Sequence, residues 1–162
     1  MTPMEPLNLR PMTVAAFETY RARLIPAYAA EHVRAGHWTA GQAEALAARQ
    51  IDDLLPEGPG TPGMLLLTAD TSDGEPAGLV WVALDRPRPS EAWIYDIEVN
   101  PEHRGKGYGR TLLLAAEQEA AKHGSTAIGL NVFGPNTVAR SLYESAGYQI
   151  TSLNMRKELR DS

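Results

Sequence analysis

A run of aromatic and β-branched residues, Trp93–Val99, reads as a strand, and a few residues on comes Arg104-Gly-Lys-Gly-Tyr-Gly-Arg110. Tyr108, Leu112, Ala116 and Ala120 then recur at helical spacing, and Lys122, His123 and Gly124 suit a helix end. A strand that turns through glycines into a helix brings bare backbone amides and the positive end of a helix dipole to one point. Arg104, Lys106 and Arg110 add charge around it. Such a concavity accepts a phosphate or pyrophosphate. A solvated turn with a few surface cations is the plainer reading of glycine and charge alone.

Two familiar nucleotide-binding patterns fail here. Counted from Gly105, the last glycine of a dinucleotide fingerprint falls on Arg110; counted from Gly107 it falls on Leu112. A P-loop needs Ser or Thr after its Lys, and Lys106 is followed by Gly107.

At 162 residues the chain suits one domain, 1–162, with a core of its own. A formal net charge of −5 argues against general nucleic-acid binding and points the local basic loop toward a small anion. Cysteine is absent, which excludes disulfides, thiolate metal sites and a Cys nucleophile. The start, MTPMEPLNLRPMT, lacks a signal-peptide pattern, and no stretch approaches the ~20 apolar residues of a membrane span. A cytoplasmic protein without membrane partner is expected. His32, His37, His103 and His123 show no ligand spacing and read as surface residues, so no metal is expected.

Along the chain, Leu7, Leu9 and Met12 suggest a first strand, and Thr13 can cap the helix from Val14 to Gly36, which Pro26 should kink or divide. A second helix opens at Thr39 and runs through Leu55, before the loop PEGPGTPG. Met64–Thr68 and Ala77–Leu84 flank an Asp73-Gly74 turn and form a hairpin. Ala127–Val132 is a strand, Asn136 or Thr137 starts a helix that Gly147 ends, and Tyr148–Met155 reads as a closing strand. The order β-α-α-β-β-β-α-β-α-β implies an α/β layered domain with a mixed sheet.

Arg104-x-x-Gly107-x-Gly109 after a strand ending in Val99 resembles the acyl-CoA pyrophosphate loop of the GNAT superfamily of N-acetyltransferases. LNVFGPNTVARSLYESAGYQI, from Leu130 to Ile150, is similar to the same superfamily's fifth strand and following helix, with its Asn-x-x-Ala-x-x-Leu-Tyr-x-x-x-Gly-Tyr signature. The resemblance covers most of residues 92–150. It implies a mostly antiparallel sheet flanked by helices, with central strands that splay to admit the pantetheine arm of acetyl-CoA as co-substrate. It implies that backbone groups of Ile97, Glu98 and Val99 hold that arm, and that the loop Arg104, Gly105, Lys106, Gly107, Tyr108, Gly109 and Arg110 holds the pyrophosphate.

Asn136, Arg140 and Tyr143 share a helix face by spacing. By resemblance Asn136 contacts pantetheine and Tyr143 protonates the departing thiolate; without it, Asn136 reads as an N-cap and Tyr143 as core. The implied reaction is direct transfer of acetyl to a primary amine in a ternary complex. An amine with the Lys reference pKa of ~10.4 is neutral at only about one part in two thousand near pH 7, so a base matters. Glu98, then Asp96, are the candidates, two apart on a strand and expected to lie opposite Tyr95, Ile97 and Val99. A strand bulge would change those faces. The Ala-rich helices between Val14 and Leu55 read as amphipathic packing; by the same resemblance they line the acceptor cleft, which would make Tyr28, Glu31 and Trp38 substrate contacts.

A non-catalytic acyl-CoA sensor and a protein N-terminal acetyltransferase are the alternatives. Asn131 stands where many of the latter carry an acid, which weighs against that acceptor. The resemblance leaves a homodimer open.

Overall fold

In the computed structural model, which describes residues 6–160, β1 (Asn8–Pro11) pairs antiparallel with β2 (Met64–Asp70). The Asp73-Gly74 turn returns the chain as β3 (Pro76–Leu84), antiparallel to β2, and β4 (Glu91–Val99) pairs antiparallel with β3. β5 (Ala127–Leu130) joins β4 in parallel, giving a five-stranded sheet in the order β1-β2-β3-β4-β5. The central β3 reads AGLVWVA without alternation because it is covered on both faces: Ala77, Val80, Val82 and Ala83 have no exposed surface.

Two helices lie on one face. Thr13 caps α1 (Val14–Arg34) by accepting from the Ala16 amide at 3.1 Å, and α2 (Ala43–Leu54) packs beside it. Phe17 and Tyr20 of α1 and Ile51 of α2 meet Leu66, Leu79, Trp81 and Ala83 of the sheet. On the other face α3 (Tyr108–Lys122) lays Leu113, Ala116 and Ala120 against Val80, Val82 and Ile94. α4 (Thr137–Ser145) adds Tyr143 to that second cluster.

Several expectations change. Pro26 does not divide α1, which continues for 21 residues; the missing Pro26 donor removes one bond, and the packed apolar face outweighs it. Thr39 to Gln42 is a turn, with the Gln42 amide on the Thr39 carbonyl, so α2 begins at Ala43. β5 ends at Leu130, short of Val132.

The closing strand does not form: among the described residues Tyr148–Met155 has no sheet partner, and Ile150, Leu153 and Met155 are exposed. Gly147 turns the chain with φ 98°, and the Tyr148 hydroxyl donates to Glu117 at 2.9 Å, tying the chain to α3 just where a strand beside β5 should begin. Among the described residues no helix is long and apolar enough to cross a membrane.

Candidate acyl-transfer site

β4 outruns β5, and that difference makes the opening. Their pairing ends at Ile94↔Leu130, whereas β4 continues to Val99 with β3 as its only partner among the described residues. Alternate backbone N–H and C=O groups of residues 95–99 therefore face a gap in place of a neighbouring strand. β3 lies very close on the far side. A Cβ at Gly78 would come within 2.3 Å of the Glu98 carbonyl oxygen, so glycine there lets β3 and β4 approach.

Below the gap, Pro101–His103 forms a short 3₁₀ turn and the glycine loop leads into α3. Gly107 is the N-cap of α3 in the left-handed region, φ 82°, a conformation that side chains with a Cβ rarely adopt. The first-turn amides of α3 have no acceptor within their own helix, which leaves a cradle for an anion at the dipole's positive end. Arg104 donates from Nε to the Val99 carbonyl at 3.3 Å, linking loop and strand. Arg110 reaches across to Ser145 Oγ of α4 at 2.6 Å. The loop thus joins β4 to the N-terminus of α3, and Ile97, Glu98 and Val99 lie on the strand that leads to it.

α4 supplies the opposite wall. Asn136 is its N-cap, with Oδ1 accepting from the Ala139 amide at 3.2 Å, so the plain capping role is real. Arg140, on the same face, pairs with Glu144 at 3.1 Å. Tyr143 is partly buried, its ring centroid 5.9 Å from that of Tyr148, and among the described residues its hydroxyl has no hydrogen-bond partner. Burial, and then the charge of Asp96, raise Tyr143 above the ordinary tyrosine range. A cavity of about 1370 Å³ runs beside these residues, lined by Asn136 and Tyr143, by Trp93 and Phe133, and by Glu31 and His37 from the α1 end.

The carboxylates sit on the α1 side. Between Trp81 and Val82 the β3–β4 register slips, and Tyr95 is the extra residue: Trp81 faces Asp96, while Val82 faces Ile94. Tyr95 consequently stacks on Trp81 with ring centroids 4.6 Å apart, on the same side as Asp96 and not opposite it. Ile97 remains on the α3 side. The Tyr20 hydroxyl donates to Asp96 Oδ2 at 2.6 Å, and Arg23 forms an ion pair with Glu98.

Protein atoms surround the Asp96 carboxyl, which keeps only a small accessible surface. That burial, followed by the neighbouring Glu98, lifts Asp96 well above the usual carboxylate range; Tyr20 and the Ile97 backbone pull it part of the way back. Tyr20 and Arg23 were invisible in the sequence, because their partners lie 76 and 75 residues away and no local motif marks them.

Of the four histidines expected at the surface, His37 and His123 are exposed, His32 is partly buried and His103 is buried. His103 is 6% exposed, its ring T-shaped to Tyr108 at 5.8 Å, and its Nε2 lies 3.5 Å from Glu75. His32 and His37 bring their Nδ1 atoms within 2.9 Å, and His32 stacks on Trp38. Tyr28 bonds Gln50 through its hydroxyl, 2.9 Å away. Among the described residues no group of three or more His, Cys, Asp and Glu could hold a metal.

The description of the Acetyltransferase (GNAT) family matches residues 26–148, and the chain belongs to that family. It is 36% identical over 154 residues to the uncharacterized N-acetyltransferase YycN of Bacillus subtilis, covering 94% of this chain and 99% of that one. The crystal structure of the YycN protein superposes with a TM-score of 0.89, covering 96% of this chain and 99% of that one. A mycothiol acetyltransferase of Kytococcus sedentarius is 30% identical over 94% of this chain but only 48% of its own length. The PaiA N-acetyltransferase of Thermoplasma acidophilum, described in complex with coenzyme A, has a TM-score of 0.63 at 20% identity over 91% of this chain and 92% of its own, a likeness of fold.

Proposed function

We propose that the protein transfers the acetyl group of acetyl-CoA to a primary amine by direct attack in a ternary complex. One arrangement carries this reading: β4 outruns β5 to leave an opening above the α3 N-terminus, with Asp96 held on its α1 side and Tyr143 on its α4 side. The cradle's amides and the cations Arg104, Lys106 and Arg110 suit the pyrophosphate, and the strand edge at residues 97–99 suits an amide-rich arm. Bound acetyl-CoA supplies an activated thioester.

The chain's own residues do the rest. Asp96 removes the amine proton; the nitrogen bonds to the carbonyl carbon, the carbon–sulfur bond breaks, and Tyr143 gives its proton to the thiolate. The Val99 amide is suited to the developing oxyanion. Asp96 is favoured over Glu98 as the base because burial raises its affinity for a proton, whereas Glu98 is engaged by Arg23. Raised in turn, Tyr143 stays protonated, as an acid must.

Release of free thiol from acetyl-CoA in the presence of a panel of small amines and peptides tests the reading. Amine-dependent release supports it. Acetyl-CoA binding without release for any amine would favour the non-catalytic sensor.

A further inference from the structure

We propose that Tyr20 is a positioning residue for the transfer: its hydroxyl clamps the Asp96 carboxyl from the helix side, and Arg23, seated against the Tyr20 ring, clamps Glu98. This rests on the reading of Asp96 as the base. Tyr20 is 2% exposed and spends its hydroxyl on Asp96 Oδ2 at 2.6 Å. Arg23 lies three residues on, with its guanidinium carbon 5.5 Å from the Tyr20 ring centroid and its charge paired with Glu98. One turn of α1 therefore holds both carboxyl groups, themselves two residues apart on β4.

Among the described residues, the titratable and polar groups that act on Asp96 or respond to it come from three elements. Tyr20 comes from α1, Glu98 and the Ile97 backbone from β4, and Tyr143 from α4; Arg23 and Glu31 of α1 act at the Glu98 end. Burial and Glu98 favour the protonated form of Asp96, and the Tyr20 bond opposes them. Burial and Asp96 push Tyr20 well above the ordinary tyrosine range, so it remains a donor and cannot itself act as the base. A clamp of this kind fixes which oxygen of Asp96 is left to meet the substrate, and it keeps the carboxyl from being permanently neutralised.

The test uses opposite signs. The Asp96 carboxyl is titrated by ¹³C NMR in the ligand-free protein, assigned with Asp96→Asn, and kcat/KM is followed against pH with an amine found by thiol release. Tyr20→Phe should move the Asp96 titration and the acidic limb of the rate profile to higher pH together, lowering kcat more than it raises KM. Glu98→Gln should move the Asp96 titration to lower pH.

A Tyr20→Phe protein that loses activity by one constant factor at every pH, with Asp96 titrating as before, would make Tyr20 a packing residue only. Should that variant not fold, the wild-type chain decides: a Tyr20 hydroxyl whose NMR signals show no hydrogen bond to the Asp96 carboxyl, and do not respond as Asp96 titrates, overturns the proposal by itself. If the wild-type chain releases no thiol with any amine, the catalytic meaning of Asp96 falls, while the titration in Tyr20→Phe still decides whether the clamp exists.

Discussion

Asp96 holds its proton more tightly in the folded chain than in the unfolded one, and stability must follow. A carboxyl raised on folding contributes stability that is complete below its unfolded value of ~3.9 and is lost as pH rises through the folded value. At neutral pH Asp96 is consequently a burden on the fold. Asp96→Asn should raise stability by on the order of 1 kcal/mol near pH 7, a gain that shrinks toward pH 3, while abolishing most transfer. Urea midpoints across that range check the sign. Tyr143→Phe should lower kcat by roughly ten- to a hundredfold, at the low end for an acid because a thiolate leaves readily. Asn136→Ala should cost about 1 kcal/mol of stability through the lost cap, and weaken acetyl-CoA binding beyond what that loss explains.

At the scale of elements, the approach of β3 to β4 depends on Gly78. Gly78→Ala would drive a methyl group toward the Glu98 carbonyl and to within 2.9 Å of Leu112 Cδ1, so it should lower stability by roughly 1–3 kcal/mol or more. It should also weaken acetyl-CoA binding by moving the edge that lines the gap; thermal melts and calorimetry measure the two effects.

Local chemistry was legible in the sequence: Thr13 caps α1, Asn136 caps α4, and the glycine loop gives way to α3 at Tyr108. Features that depend on a partner were not. The bulge at Tyr95 arises from pairing with β3, and alternation along β4 alone put Tyr95 on the wrong side. Tyr148–Met155 has the composition of a strand, but a strand needs a partner edge, and the Tyr148–Glu117 bond draws the chain toward α3. Pro26 looked disruptive because propensity weighs a single residue, whereas burial of Phe17, Tyr20 and Ala29 holds the whole helix.

On the scale of the molecule, the site is assembled from four elements far apart in the chain: α1, β4, the loop into α3, and α4. A ligand that spans them binds only the folded form, so acetyl-CoA at a hundred times its Kd should stabilise the protein by about 2.7 kcal/mol. If the loop holds the pyrophosphate as proposed, its attraction in a protein of net charge −5 is local and screened, and binding should weaken from 50 to 500 mM salt.

The most direct measurement is calorimetric titration of acetyl-CoA into the wild-type chain and into Gly107→Trp, with circular dichroism showing both folded. A side chain at φ 82° on the α3 N-cap distorts the cradle and fills the space a phosphate needs. Binding in the micromolar range by the wild-type chain, lost in the variant, is the expected result. Equal binding by both would contradict the loop as the pyrophosphate site, and no binding by the folded wild-type chain would remove acetyl-CoA from the reaction altogether.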